Sequence, residues 1–249
     1  MAIVIRTAKE IAKMRRSGIA LRGVLDTLCA SIAPGMTTMD LEEIAEAKIK
    51  EAGAISAFKG YHDFPCVLCT SVNSEVVHGI PSAKRVLHEG DIVSIDCGLI
   101  IDKYYADSAI TLPVGKIAEP ATQLLEATEK SLQAAIAVVR AGATLGDVGA
   151  AVQEVVESAG FSVVRDFVGH GIGTVMHEEP QIPNYGRRGQ GIKLREGMVL
   201  AIEPMVNAGQ HSVRVLEDGW TAVTVDGSLS AHFEHTVAVK AEGAEVLTA

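Results

Sequence analysis

The 249-residue chain is 48% hydrophobic and 21% charged, enough to bury a sizeable core as one large domain or two small ones. Its net charge of −9, with no run of Lys or Arg longer than two, excludes the electrostatic footprint of a nucleic-acid binder. No apolar stretch approaches the ~20 residues that span a bilayer, and four cysteines are too few and too irregular for a disulfide scaffold, so a reducing cytoplasm is the expected compartment and no membrane partner is expected.

From the amino end, the apolar run Ala2 to Ile5 is too short for the core of a secretory signal. A first well-marked helix is predicted after Gly35, where Asp40 can cap. Leu41, Ile44, Ala45, Lys48 and Ile49 then make a face of period 3.6, and Gly53 suits the terminating position. Next come Cys66 and Cys69, a lone C-x-x-C. It follows Pro65 and leads into Val67, Leu68 and Val72, which reads as a strand and not as the helix start that thioredoxin-like redox chemistry requires.

Farther along, IVSIDCGL places Ile92, Ser94 and Asp96 on one face by the period of two, and the following strand-like stretch carries Asp107. A reversal near Ile101 and Asp102 would set Asp96 directly opposite Asp107, with Cβ atoms roughly 5 Å apart, and such facing charges need a cation.

The second half repeats the first. The segment from Gly35 overlays the segment from Gly142 at an offset of 107, pairing Thr37 with Thr144 and Asp40 with Asp147. The same offset lays LHEGDIVSID from Leu87 on LREGMVLAIE from Leu194, so Asp96 falls on Glu203. A third echo, His78-Gly79-Ile80-Pro81 against His170-Gly171-Ile172-Gly173, lies at an offset of 92, as a duplication with insertions would leave it. One α+β catalytic domain of residues 1–249 is expected, built from repeats of about 1–116 and 117–249 around a pseudo-two-fold axis.

In that second half Glu203 ends VLAIE and Glu234 lies in SAHFEHTVAV. An arm pairing the two centres on Asp218-Gly219, a hairpin signal that Pro204 and Gly209 could interrupt. His170, flanked by glycines, adds an imidazole. Four carboxylates and one imidazole make an oxygen-rich ligand set for two divalent ions, with two of the carboxylates bridging.

Taken together, RTAKEIAKMRRSG, GYHDFP, VNSEVVHGIP, IDCG, ADSA, VGHGIG, MHEEPQIPNYG, IEPM, DGW and FEHT resemble type I methionine aminopeptidases of the bacterial short form, over essentially the whole chain. That resemblance implies the pita-bread fold of the creatinase and aminopeptidase group, an internally duplicated antiparallel sheet with helices outside. It also implies two metal ions held by Asp96, Asp107, His170, Glu203 and Glu234, with Asp107 and Glu234 bridging. Catalytic roles follow for His78, His177 and Glu203, the two histidines flanking the metals without binding them. Tyr61, Phe64, Cys69 and Trp220 match the methionine side-chain pocket, with His62 nearby, although each also reads as an ordinary core residue.

The sequence departs from the commoner family wording at Phe58, Met176 and Cys97, which touches pocket detail. Only 25 residues separate His177 from Glu203, leaving no room for the type II insertion. The implied activity is removal of the initiator methionine from nascent proteins and peptides with a small second residue, by metal-hydroxide attack on the first peptide bond. Cobalt, manganese, iron or zinc could serve. The implied partners are amino-terminal Met peptides and nascent chains, with the ribosome as one place of encounter, and a monomer is expected. An X-Pro peptidase of the same fold, or a binding protein on the same scaffold, stays open at this point.

Overall fold

The computed structural model describes residues 2–249. Helix α1 (Ala8–Ser31) starts at a capping box of Thr7 and Glu10, and α2 (Thr38–Glu51) at one of Thr37 and Asp40. After the midpoint, α3 (Glu119–Val138) begins with Pro120 in its first turn, and α4 (Leu145–Ser158) starts at Thr144 and Asp147. The sequence expectation that Asp40 and Asp147 are the caps is therefore corrected. Thr37 and Thr144 are the N-caps, their hydroxyls accepting from the amides of Asp40 and Asp147, whose carboxylates accept in return from the cap amides. The bounds of α2 and α4 differ by 107 residues at both ends.

The first half contributes β1 (Ile55–Ser56), β2 (Leu68–Val72), β3 (Glu75–Val77), β4 (Ile92–Ile101) and β5 (Tyr104–Pro113). Antiparallel β4 lies between β1 and β2 and also pairs with β5. Their register is two positions from the one expected: Asp96 stands opposite Ala109 and Asp107 opposite Gly98. The cause is the turn, which is made by Asp102 and Lys103, both at positive φ (50° and 73°), one residue later than anticipated. A shift of two keeps both aspartates on one face, so they become diagonal neighbours.

The second half contributes β6 (Ser162–Val163), β7 (Gly169–Gly171), β8 (Glu178–Ile182), β9 (Val199–Ile202), β10 (Met205–Asn207), β11 (Val213–Val215), β12 (Ala222–Thr224), β13 (Ser230–His232), β14 (His235–Lys240) and β15 (Gly243–Val246). One register runs through the long arm, from Ile202 opposite His235, through Met205 opposite His232, to Val213 opposite Thr224. Its tip is the turn closed by Leu216 and Thr221, with Gly219 at φ 78°. The arm expected from Glu203, Glu234 and Asp218-Gly219 is thus present. Pro204, which lacks an N–H, breaks the ladder between β9 and β10 without displacing it.

Helices cover the outside. Leu21, Leu25, Leu28 and Leu41 bury against Val93, Ile95 and Leu99, while Leu124, Leu132, Val148, Val152 and Val156 bury against Leu200, Ile202, Val237 and Val239. Each such aliphatic side chain contributes about 1.5–3 kcal/mol when removed from water.

The strands of the two halves pair directly where β3 meets β12, and at β5, β13 and β14 hydroxyls take the place of a ladder. The Asp107 amide donates to Thr236 Oγ1 (3.0 Å), which donates to the Asp107 carbonyl (2.8 Å). Ser108 Oγ donates to the Glu234 carbonyl (2.7 Å), and Thr111 Oγ1 both donates to the His232 carbonyl and accepts from its amide, each at 2.8 Å. These buried bonds tie the backbone of Asp107 to that of Glu234, which the Glu234 amide reinforces by donating to the Ala109 carbonyl (2.9 Å).

Candidate active site

A cavity of about 320 Å³ opens where the halves meet, and Asp96, Asp107, His170, Glu203 and Glu234 all line it. Asp96 comes from β4, Asp107 from β5 and His170 from β7, while Glu203 follows β9 and Glu234 precedes β14. Asp107, His170 and Glu234 each place a donor atom within 4.8 Å of the others. His170 Nε2 lies 3.5 Å from Glu203 Oε1 and 3.8 Å from Asp107 Oδ2. His170 Nδ1 lies 2.9 Å from the Gly171 carbonyl and so donates to it, which leaves the Nε2 lone pair facing the carboxylates. The flanking glycines are needed sterically: a Cβ at Gly169 would lie 2.3 Å from the Ala201 carbonyl oxygen, and one at Gly171 2.3 Å from that of Glu179.

Four buried carboxyls in one place are electrostatically costly. Burial, the largest cause, pushes Asp96 up to about 7, and burial together with the neighbouring acids pushes Asp107, Glu203 and Glu234 well above the usual carboxylate range. Among the described residues, their only ion-pair neighbours are His170 and His232. Asp96 Oδ1, Asp107 Oδ1 and Glu234 Oε1 are buried without a hydrogen-bond partner. Unpartnered hard oxygens beside one imidazole fit a divalent cation, which would satisfy them and neutralise their charge.

The rest of the cavity is largely apolar. Phe58, Phe64, Cys69, Met176 and Trp220 form one wall, with Phe64 edge-on to Trp220 at 5.1 Å between centroids. Cys69 lies in β2 directly opposite Asp96, so this wall abuts the carboxylates. Its thiol is pushed well above the usual range by burial. His78, at φ 62°, stands edge-on to Phe167 and Trp220. Tyr61 Oη lies 2.7 Å from His177 Nδ1, and the His177 ring is 4.3 Å from that of His170. His62 borders the same space. Burial lowers His78 to about 4, His170 to about 3 and His177 below its ordinary value, so these rings act as neutral donors and acceptors near pH 7. Every residue proposed from sequence thus lines one cavity.

Residues 12–241 match metallopeptidase family M24. Over 246 residues the chain is 50% identical to the methionine aminopeptidase of Clostridium acetobutylicum, covering 99% of this chain and 98% of the relative. The crystal structure of methionine aminopeptidase from Thermotoga maritima superposes with a TM-score of 0.98 at 49% identity, covering 99% of both chains. The chain belongs to the methionine aminopeptidases of family M24. Its fold is the pita-bread fold, which a Bacillus anthracis Xaa-Pro dipeptidase shares at a TM-score of 0.79, 22% identity and coverage of 98% of this chain and 61% of that one. Divalent-metal dependence follows from the metallopeptidase family and the donor cluster together.

Several lining residues of this M24 methionine aminopeptidase escaped the sequence reading: Val77, Phe167, Val168 and Met205. Phe167 precedes VGHGIG and Val168 opens it, both in the loop before β7, where no period assigns a face. Buried His232, 3.8 Å from Glu203 Oε2, was also missed. Its signal was available, because His232 and Glu234 are two apart and share a face.

Proposed function

We propose that this chain is a cytoplasmic, monomeric enzyme that removes the initiator methionine from nascent proteins and peptides whose second residue is small, working as one catalytic unit of two repeats. The observation that carries the reading is the cavity that joins the five-residue donor set to a largely apolar wall of Phe58, Phe64, Cys69, Met176 and Trp220, which suits a flexible, unbranched side chain. Asp96, Asp107, His170, Glu203 and Glu234 would hold two divalent ions. Bound Mn, Fe, Co or Zn supplies Lewis acidity that polarises the first peptide carbonyl and acidifies water.

The residues do the rest. Glu203 accepts the proton of the attacking water and delivers it to the leaving amine. With Tyr61 Oη 2.7 Å from His177 Nδ1, a hydrogen bond from the hydroxyl to Nδ1 would leave the single ring proton of neutral His177 on Nε2, free to donate to the developing oxyanion. His78, held between Phe167 and Trp220, positions the scissile amide. Phe58, Phe64, Cys69, Met176 and Trp220 enclose the methionine side chain.

The test is a peptide panel, Met-Ala-Ser, Met-Lys-Ser, Val-Ala-Ser and Val-Pro-Ser, run beside metal analysis of the freshly purified protein. Met-Ala-Ser is cleaved and the others are not, because β-branched Val does not fit the pocket and Lys is too bulky for the second site. Preference for Val-Pro-Ser would overturn the assignment in favour of an X-Pro enzyme.

A further inference from the structure

His232 is a buried imidazole with no place in the mechanism above. Its side chain is 2% exposed, and its Nε2 is fully buried without a hydrogen-bond partner. Both of its backbone polar groups are locked to Thr111 Oγ1, and the residue is held by strand pairing opposite Met205, so the ring direction is fixed by the sheet. That direction brings Nε2 to 3.8 Å from Glu203 Oε2, whereas the other Glu203 oxygen, Oε1, faces His170 Nε2 at 3.5 Å. Two imidazoles therefore flank one carboxylate. They differ in access, since His170 lines the cavity and His232 does not.

We propose that His232 is a positioning residue that holds Glu203 from behind by donating its Nε2–H to Oε2. His170 turns a lone pair to the carboxylates because its Nδ1–H is committed to the Gly171 carbonyl, whereas the tautomer of His232 with its proton on Nε2 meets Oε2 with a donor. The 3.8 Å separation exceeds a hydrogen bond, and a small rotation of the Glu203 carboxylate closes it. Fixing Oε2 in this way keeps Oε1 directed into the cavity. A hydrogen bond behind a ligating carboxylate typically supports metal affinity or activity by about 10- to 100-fold. This inference rests on the reading of Glu203 as ligand and proton acceptor.

A double-mutant cycle on the whole protein tests it, with turnover of Met-Ala-Ser and calorimetric titration of Mn²⁺ into metal-free protein as independent readouts. His232→Leu, of similar volume but without a donor, is expected to lower kcat and Mn²⁺ affinity by about 10- to 100-fold with KM within about 2-fold. His232→Gln, whose amide N–H has similar reach, keeps both within about 3-fold of the parent. In a Glu203→Gln background, His232→Leu adds less than about 2-fold. If His232→Leu does not fold, His232→Asn, whose shorter amide falls short of Glu203, takes its place. Parent-like values for the donor-free variant, or effects of the two sites that simply multiply, would overturn the proposal. So would loss of one bound ion in both His232→Leu and His232→Gln, which would make His232 a ligand. Parent-like turnover of Glu203→Gln alone would instead sink the role given to Glu203.

Discussion

Metal-free protein should lose stability as pH rises from 7 to 8, the reverse of what paired carboxylates usually cause. Asp107, Glu203 and Glu234 have folded-state pKa values raised well above their unfolded ones, so the folded state keeps protons that the unfolded state has already released. Where the unfolded chain binds fewer protons, stability falls with pH. The stability of the protonated cluster is complete below the unfolded carboxylate range and drains until pH passes the folded values. Each carboxyl that stays protonated across pH 7 to 8 costs about 1.4 kcal/mol over that unit. In a chain of this size that is a Tm decrease of about 3–6 °C per retained proton.

The window matters. Below pH 7 the depressed histidines His78, His170, His177, His232 and His235 act in the opposite sense, because the unfolded chain protonates them near 6.5 while the folded chain does not. Above pH 7 that contribution is spent and the acid cluster dominates. The assay is a set of chelator-treated melts at constant ionic strength, repeated for Asp107→Asn, whose slope should be shallower because one retained proton is gone. Saturating Mn²⁺ should stabilise more at pH 8 than at pH 7. A metal-free Tm that is flat or rising between pH 7 and 8 would refute the electrostatic account of the cluster.

Glu203→Gln should keep KM near the parent value while lowering kcat by about 10²-fold or more in the Met-Ala-Ser assay, since it removes proton transfer but keeps an oxygen. His177→Ala should cost about 10²-fold in kcat, the scale of a missing oxyanion donor, and a change confined to KM would make it a uniform binder. Thr144→Ala should lower stability by about 1 kcal/mol in thermal melts without touching kcat, because it removes the N-cap of α4, which does not line the cavity. Its counterpart Thr37→Ala should cost a similar amount, and a loss of activity in either would contradict the placement of these caps away from the cavity.

Much of this architecture was legible because duplication and periodicity leave marks in sequence. Thr37 and Thr144, Gly35 and Gly142, and the bridges Thr37 to Val86 and Thr144 to Lys193 all recur at an offset of 107. The carboxylates were readable because strands alternate faces, so a two-residue error in the β4 and β5 register left Asp96 and Asp107 on the same side. The apolar wall resisted direct reading. Phe58, Tyr61, Phe64, Phe167, Met176 and Trp220 come mostly from loops far apart in the chain, where burial has no period, and the three of them assigned from sequence, Tyr61, Phe64 and Trp220, owed it to family resemblance.

The two halves also differ where they look equivalent, and the difference favours Glu203 as the proton acceptor. Asp96 occupies the matching position, but it is paired on both sides within its sheet, with Cys69 across one edge and Ala109 across the other. Its short side chain has little freedom. Glu203 sits in the gap that Pro204 opens between β9 and β10, and carries one more methylene. A carboxylate that must accept a proton at one moment and release it to an amine at the next needs that latitude, together with something to limit it. His170 at 3.5 Å and His232 at 3.8 Å, on opposite oxygens, set the limits. The proline break in one arm and the histidine two residues before Glu234 are what set the surroundings of Glu203 apart from those of Asp96.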